Sequence, residues 1–168
     1  MDIKNLSSNK GNIIKEVFIL KPRVFEDERG FFYESWNQEI FNNAVGEEVK
    51  FLQDNHSSSN IGVLRGLHYQ IGPKPQGKLV RCVSGAVFDV AVDIRKSSST
   101  FGEWTSIVLD NIDKLMIWIP VGFAHGFLAL EKNSEVLYKT SEFWIKEQGR
   151  SIRWDDKDIN INWPLIDI

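Results

Sequence analysis

The chain has 168 residues, of which 42% are hydrophobic, 26% charged and 12% aromatic, with a formal net charge of −3 and one cysteine. That mix excludes a disordered chain, a collagen and a coiled coil, and the charge balance excludes a general basic surface for nucleic acid. The lone Cys82 excludes a disulfide framework within the chain.

A chain of this length predicts one domain, able to bury about 70% of the surface it exposes when unfolded without metal or disulfide staples. The first dozen residues are polar and read as a mobile arm, 1–12, ahead of a single domain over 13–168. They hold no apolar stretch long enough for a signal peptide or a membrane span. Cys82 lies in the run Leu79-Val80-Arg81-Cys82-Val83 and reads as a small buried hydrophobe, so a reducing cytoplasm is the expected compartment.

Nine apolar runs of strand length follow the arm, at 13–20, 49–53, 63–70, 78–83, 86–94, 104–109, 115–119, 126–130 and 135–140. Gly and Pro at 72–75, Ser84-Gly85 and three serines at 97–99 punctuate them. Many short strands with such punctuation predict an all-β sandwich or barrel. The run Phe88 to Asp93 alternates with period two, placing Asp89, Ala91 and Asp93 on one face and Phe88, Val90 and Val92 on the other. Only 37–45 and 146–152 look able to form helix, and both are short.

Standard catalytic signatures are absent, including the glycine-rich nucleotide loops, paired-cysteine motifs and the serine nucleophile elbow. Three histidines remain: His56, His68 and His125. Alone, His125 reads as a packed histidine bonded to a backbone carbonyl. His68 sits with Arg65, Gln70, Lys78 and Arg81 in stretches otherwise fit for burial, where charged groups are rare unless paired or binding something. Arg65 and His68 are an odd number of residues apart and would point to opposite faces of a regular strand, unless Gly66 supplies a bulge. A metal is disfavoured, because Gln70 stands where a second histidine would complete an H-x-H pair.

Ordered segments across nearly the whole chain carry a resemblance. They are Asp27-Glu28-Arg29-Gly30-Phe31-Phe32, Gln53-Asp54-Asn55-His56-Ser57, Leu64-Arg65-Gly66-Leu67-His68-Tyr69-Gln70, Gly77-Lys78-Leu79-Val80-Arg81, Val87 through Arg95, Ile119-Pro120 through Gly126-Phe127, Leu137-Tyr138-Lys139-Thr140 and Arg153-Trp154-Asp155-Asp156. As a set they resemble the dTDP-4-dehydrorhamnose 3,5-epimerase family, whose members are cupin-type, double-sheet jelly-roll barrels. The resemblance implies a dTDP-linked 4-keto-6-deoxyhexose as substrate, inversion at C3 and C5, and no cofactor or metal. Both carbons flank the C4 carbonyl, so enolate formation acidifies their protons.

By the same resemblance His68 matches the base, Tyr138 the acid and Lys78 the residue beside the C4 oxygen. His125 matches a second pocket histidine. Arg65, and Arg29 from a neighbouring subunit, match diphosphate-binding arginines. Phe32, Glu34, Gln53 and Asn55 match residues around nucleoside and sugar. Phe143 and Trp144 offer flat faces to the base where the family often has tyrosine. A homodimer is implied, with the Arg29 and Phe32 segment reaching the partner's barrel. The bland alternatives are a strand tyrosine at the barrel mouth for Tyr138, a solvated lysine for Lys78 and a turn arginine paired with Asp27 or Glu28 for Arg29.

The family's catalytic histidine pairs with an aspartate of a Ser-x-Lys-Asp segment beyond the Trp-Pro motif. This sequence ends at Trp163-Pro164-Leu165-Ile166-Asp167-Ile168, so weakened turnover with retained affinity is expected unless Asp89 or Asp93 faces His68. The alternative functions are a single-centre epimerase of another keto sugar nucleotide and a barrel that binds without catalysis.

Overall fold

The computed structural model describes residues 1–166. Thirteen strands and one short α-helix follow one another. They are β1 (Asp2–Ser7), β2 (Ile13–Lys21), β3 (Val24–Asp27), β4 (Gly30–Tyr33), α1 (Gln38–Val45), β5 (Gln53–Ser59), β6 (Leu64–Gln70), β7 (Lys78–Ser84), β8 (Ala86–Asp93), β9 (Trp104–Asp110), β10 (Met116–Ile119), β11 (Phe123–Ala129), β12 (Ser134–Thr140) and β13 (Gly149–Ser151). They build a six-stranded sheet, β1-β2-β10-β7-β12-β5, and a five-stranded sheet, β13-β6-β11-β8-β9, with β3 and β4 as a separate hairpin. This is the expected all-β, cupin-like double-sheet architecture. No helix among the described residues is long and apolar enough to cross a membrane.

Period-two alternation explains how the sheets stack. On β10, Ile117 and Ile119 face inward, where they join Val17, Val80, Val87, Ala91, Leu109, Phe123, Phe127 and Val136 between the sheets. Met116 and Trp118 face outward, against Leu20, Phe41 and Leu79. Helix α1 covers that outer face. Asn37 caps it by accepting from the Ile40 N–H, and Gly46 ends it in the left-handed region. Phe41 then meets Trp36, Phe51 and Trp118 at ring-centroid distances of 5.1, 5.3 and 5.3 Å, the first two tilted and the Trp118 contact edge-on, as suits the ring quadrupoles. The outer face of the other sheet, with Leu67, Val90, Val92 and Ala124, is covered by Ile152, Ile159, Ile161 and Trp163. Each fully buried aliphatic side chain contributes about 1.5–3 kcal/mol.

Several sequence expectations change. The first dozen residues are not an arm: β1 pairs with β2, and Ser8 donates to the buried Glu103 at 2.6 Å while Asn12 donates to both its oxygens. The run 49–53 is not a strand; its Val49 and Phe51 pack under α1, and β5 starts only at Gln53. The stretch 146–152 forms a single 3-10 turn over Lys146–Gln148 and then β13. The β3–β4 hairpin was unforeseen. Cys82 is buried as expected.

The close approach of β6 and β11 sets the geometry of everything inside. Residue pairs run His125↔His68 and Phe127↔Arg65, so three steps on β6 match two on β11. This is a β-bulge, and it turns Arg65 and His68 to the same side, resolving their odd spacing. Gly66 permits it. Its φ is +141°, and a Cβ there would lie 2.5 Å from the Gly126 Cα.

Candidate active site

The inner faces of the two sheets do not fill one end of the sandwich. A cavity of about 860 Å³ opens there, lined by β5, β6, β7, β11 and β12 and by the segment around β13. Inward positions explain its chemistry. Along β7, Lys78 shares a face with Val80 and Cys82, so the lysine is the last inward residue before the opening. Along β5 the inward set is Gln53, Asn55, Ser57 and Ser59, all polar. Asn55 stands opposite Tyr138 in the β5–β12 register.

The cavity brings together Gln53, Asn55, Arg65, His68, Lys78, His125, Tyr138 and Trp144 of the expected site residues. His68 and His125 come from the five-stranded sheet, Lys78 and Tyr138 from the six-stranded sheet facing it. Lys78 Nζ donates to the His68 backbone carbonyl at 3.3 Å. Arg65 is held by donating to Ser59 Oγ at 3.0 Å and to the Ser58 carbonyl at 3.2 Å. Gln53 donates to Asn55 Oδ1 and accepts from the Trp144 backbone N–H.

Electrostatics separate these groups. His68 is held below the ordinary histidine range, first by desolvation within the cavity, then by the charges of Lys78, His125 and Arg65. A neutral imidazole is the form that can accept a proton. Burial pushes Lys78 down to about 8, against the opposing pull of Asp89. Burial raises Tyr138, with Arg65 opposing, so the phenol keeps its proton. The lining contains Arg65, Lys78, Lys146 and Arg150 and no Asp or Glu, although the chain's net charge is −3. Such a surface favours an anion and draws it in from solution.

Neither candidate aspartate serves His68. Asp89 accepts from His125 Nε2 at 2.8 Å, so the bland reading of His125, a ring satisfied by a backbone carbonyl, is also replaced. Asp93 is engaged by Arg95, Ser98 and Thr100. The expected C-terminal aspartate concerns chain outside the described residues.

Arg29, Phe32 and Glu34 do not line this cavity. Arg29 forms a bidentate pair with Asp27 on the exposed β3–β4 hairpin, Phe32 is 73% exposed, and Glu34 accepts from Asn37 at the start of α1. Phe143 is outside it too. Its carbonyl accepts from Gln70, which also bonds the Lys74 carbonyl and the Ile145 N–H. Gln70 thus ties down two loops, and among the described residues no three His, Cys, Asp or Glu side chains gather as a metal site. Ser57, Gln76, Thr140, Lys146, Arg150 and Ser151 line the cavity without having been foreseen. Ser57 and Thr140 were findable as inward neighbours of Asn55 and Tyr138; β13 carried no strand signal.

A sequence profile described as dTDP-4-dehydrorhamnose 3,5-epimerase matches residues 12–168. The dTDP-4-dehydrorhamnose 3,5-epimerase of Shigella flexneri is 60% identical over 158 residues, covering 92% of this chain and 87% of that protein. Among solved structures, the dTDP-6-deoxy-D-glucose-3,5-epimerase of Legionella pneumophila, in complex with dTDP-4-keto-L-rhamnose, superposes with a TM-score of 0.90 at 43% identity, covering 98% of this chain and 85% of that one. The Mycobacterium tuberculosis epimerase gives 0.92 at 39% identity, covering 99% and 80%.

Proposed function

The chain belongs to the dTDP-4-dehydrorhamnose 3,5-epimerase family, and from that premise we propose how its cavity performs the inversion. The protein is an isomerase acting at C3 and C5 of a dTDP-linked 4-keto-6-deoxyhexose. One observation carries the mechanism: His68 and Tyr138 project from opposing sheets into one cationic cavity. A planar enolate between them has a base on one face and an acid on the other.

The neutral His68 takes the proton from C5 or C3, and the electron pair moves to the C4 oxygen. The Lys78 ammonium meets the negative charge that develops there. Tyr138 delivers its proton to the opposite face of the carbon, which inverts the centre. Solvent then restores the proton on Tyr138 and removes the one on His68. Arg65 binds the diphosphate with its planar fork. Gln53, Asn55 and Trp144 surround the nucleoside and sugar. The C4 carbonyl supplies the acidity, so side chains suffice. Deuterium wash-in from D₂O tests this reading: exchange at two carbons is expected, whereas exchange at one assigns a single-centre epimerase and exchange at none a binding barrel.

His68 must be neutral, and its lowered pKa keeps it neutral below the usual histidine range. Lys78 must be charged, and its proton is lost as pH passes about 8. The rate of exchange should therefore plateau from mildly acidic pH and fall on an alkaline limb near pH 8. A limb near the ordinary lysine value of about 10.4 would show that burial does not lower Lys78 in the working enzyme, and the absence of any alkaline limb would remove Lys78 from this role.

The same reading includes a homodimer in the cytoplasm. Phe25, Phe31 and Phe32 are exposed on the β3–β4 hairpin, a cluster that a soluble surface rarely shows alone. Arg29 of the partner subunit would complete the diphosphate site. Light scattering at micromolar concentration should give twice the chain mass; a strictly monomeric mass counts against the dimer.

A further inference from the structure

Asp89 has no part in the proton transfers described above, yet it is a fully buried acidic group bonded to a histidine that lines the cavity. Its side chain is 0% exposed and that of His125 is 7% exposed. One carboxylate oxygen accepts from His125 Nε2 at 2.8 Å. The other, Oδ1, is buried without a partner. A buried carboxylate with an orphaned oxygen is costly, and a purely structural position would be better filled by an apolar or fully bonded side chain.

The geometry gives that cost a use. Asp89 and His125 sit on the neighbouring strands β8 and β11, with Asp89 directly across from Phe127. His125 faces His68 across the β11–β6 pair, and Lys78 bonds the His68 carbonyl and feels the Asp89 charge. The three basic groups therefore line one cavity, and Asp89 bonds one of them and acts through its charge on another. With Nε2 committed to Asp89, Nδ1 is the ring nitrogen left for the cavity, which His125 lines.

We propose that Asp89 is a positioning residue: its carboxylate accepts a hydrogen bond from His125 Nε2–H and turns Nδ1 toward the cavity, where Nδ1 takes a proton from solvent as the anionic substrate binds and donates a hydrogen bond to the C4 oxygen as the enolate forms. His125 and Lys78 then share the developing charge, and the hydrogen bond relaxes when the carbonyl reforms. The carboxylate does not itself gain a proton. It fixes tautomer and orientation, as a buried aspartate does behind a catalytic histidine elsewhere. This inference rests on the functional reading above.

The test uses full-length Asp89→Ala and Asp89→Asn proteins. Alanine removes the acceptor, while asparagine keeps an acceptor oxygen and loses the charge. Asp89→Ala should lower kcat for exchange on the order of 10²-fold while KM stays within about threefold. Asp89→Asn should recover part of that loss. Nitrogen-15 NMR of histidine-labelled protein, without substrate, should show His125 as the Nε2–H form in the wild type and a mixture in Asp89→Ala. Unchanged turnover in Asp89→Ala, or an unchanged tautomer, overturns the proposal. Should Asp89→Ala fail to fold by circular dichroism, Asp89→Asn decides: wild-type kcat there shows that the charge is not needed and also overturns it. If the wild type itself shows no exchange, the functional reading falls, while the substrate-free tautomer measurement still judges Asp89.

Discussion

Replacing His68 by asparagine is expected to abolish deuterium wash-in at both C3 and C5 while dTDP still binds. Removing a positioned base costs about 10²–10⁴-fold in rate, and no neighbour can take over. Lys78 is tied to the His68 backbone, and His125, held by Asp89, is assigned to donate to the C4 oxygen rather than to take a proton from carbon. Binding survives because Arg65 is anchored independently, by Ser58 and Ser59. Tyr138→Phe should be milder in exchange but impaired in completed inversion, since abstraction proceeds and only the opposite-face proton is missing. Measured together by NMR in D₂O and by calorimetry with dTDP, the two variants separate base from acid. Exchange near the wild-type rate in His68→Asn would reassign the base to His125.

Replacing Gly66 by alanine is expected to be the most damaging single change outside the reacting groups. A Cβ would fall 2.5 Å from the Gly126 Cα and 3.1 Å from the His125 carbonyl oxygen, both main-chain atoms that cannot swing aside, at a φ of +141° that side chains rarely adopt. Backbone strain and overpacking together imply a loss on the order of 3 kcal/mol, which for a chain this size lowers Tm by roughly 6–12 °C. The survivors should also turn over poorly, because the bulge aims both Arg65 and His68. A thermal melt within about 2 °C of wild type would show that β6 can part from β11 without penalty.

The sequence made the architecture legible wherever strands bury apolar residues on both faces. Met116 to Ile119 and Ala86 to Asp93 read plainly because each face meets a core. Strand β5 was missed for the opposite reason. Its inward residues Gln53, Asn55 and Ser57 face the cavity rather than a core, and Ser59 accepts from Arg65, so the apolar alternation that marks a strand is absent. Gln53 and Asn55 were legible as site residues through the resemblance alone. The parity conflict between Arg65 and His68 correctly located a bulge at Gly66. Asp89 was picked out by alternation, but choosing between His68 and His125 as its partner needed the β8–β11 register, which no local pattern encodes. Arg29, Phe32 and Glu34 were legible only through the resemblance, and within one chain the first two remain on an exposed hairpin and Glu34 just after it.

The burial of Cys82 gives the protein a built-in clock for its own opening. The thiol is 4% exposed, donates to the Ser84 and Gly85 carbonyls, and is pushed by burial up to about 11. Only the thiolate attacks alkylating or oxidising reagents, so at neutral pH the folded molecule presents almost none of the reactive species. Since the sequence has no other cysteine, labelling by a thiol-specific reagent reports the exposure of Cys82 on strand β7, and its uptake over time counts excursions from the folded state one molecule at a time.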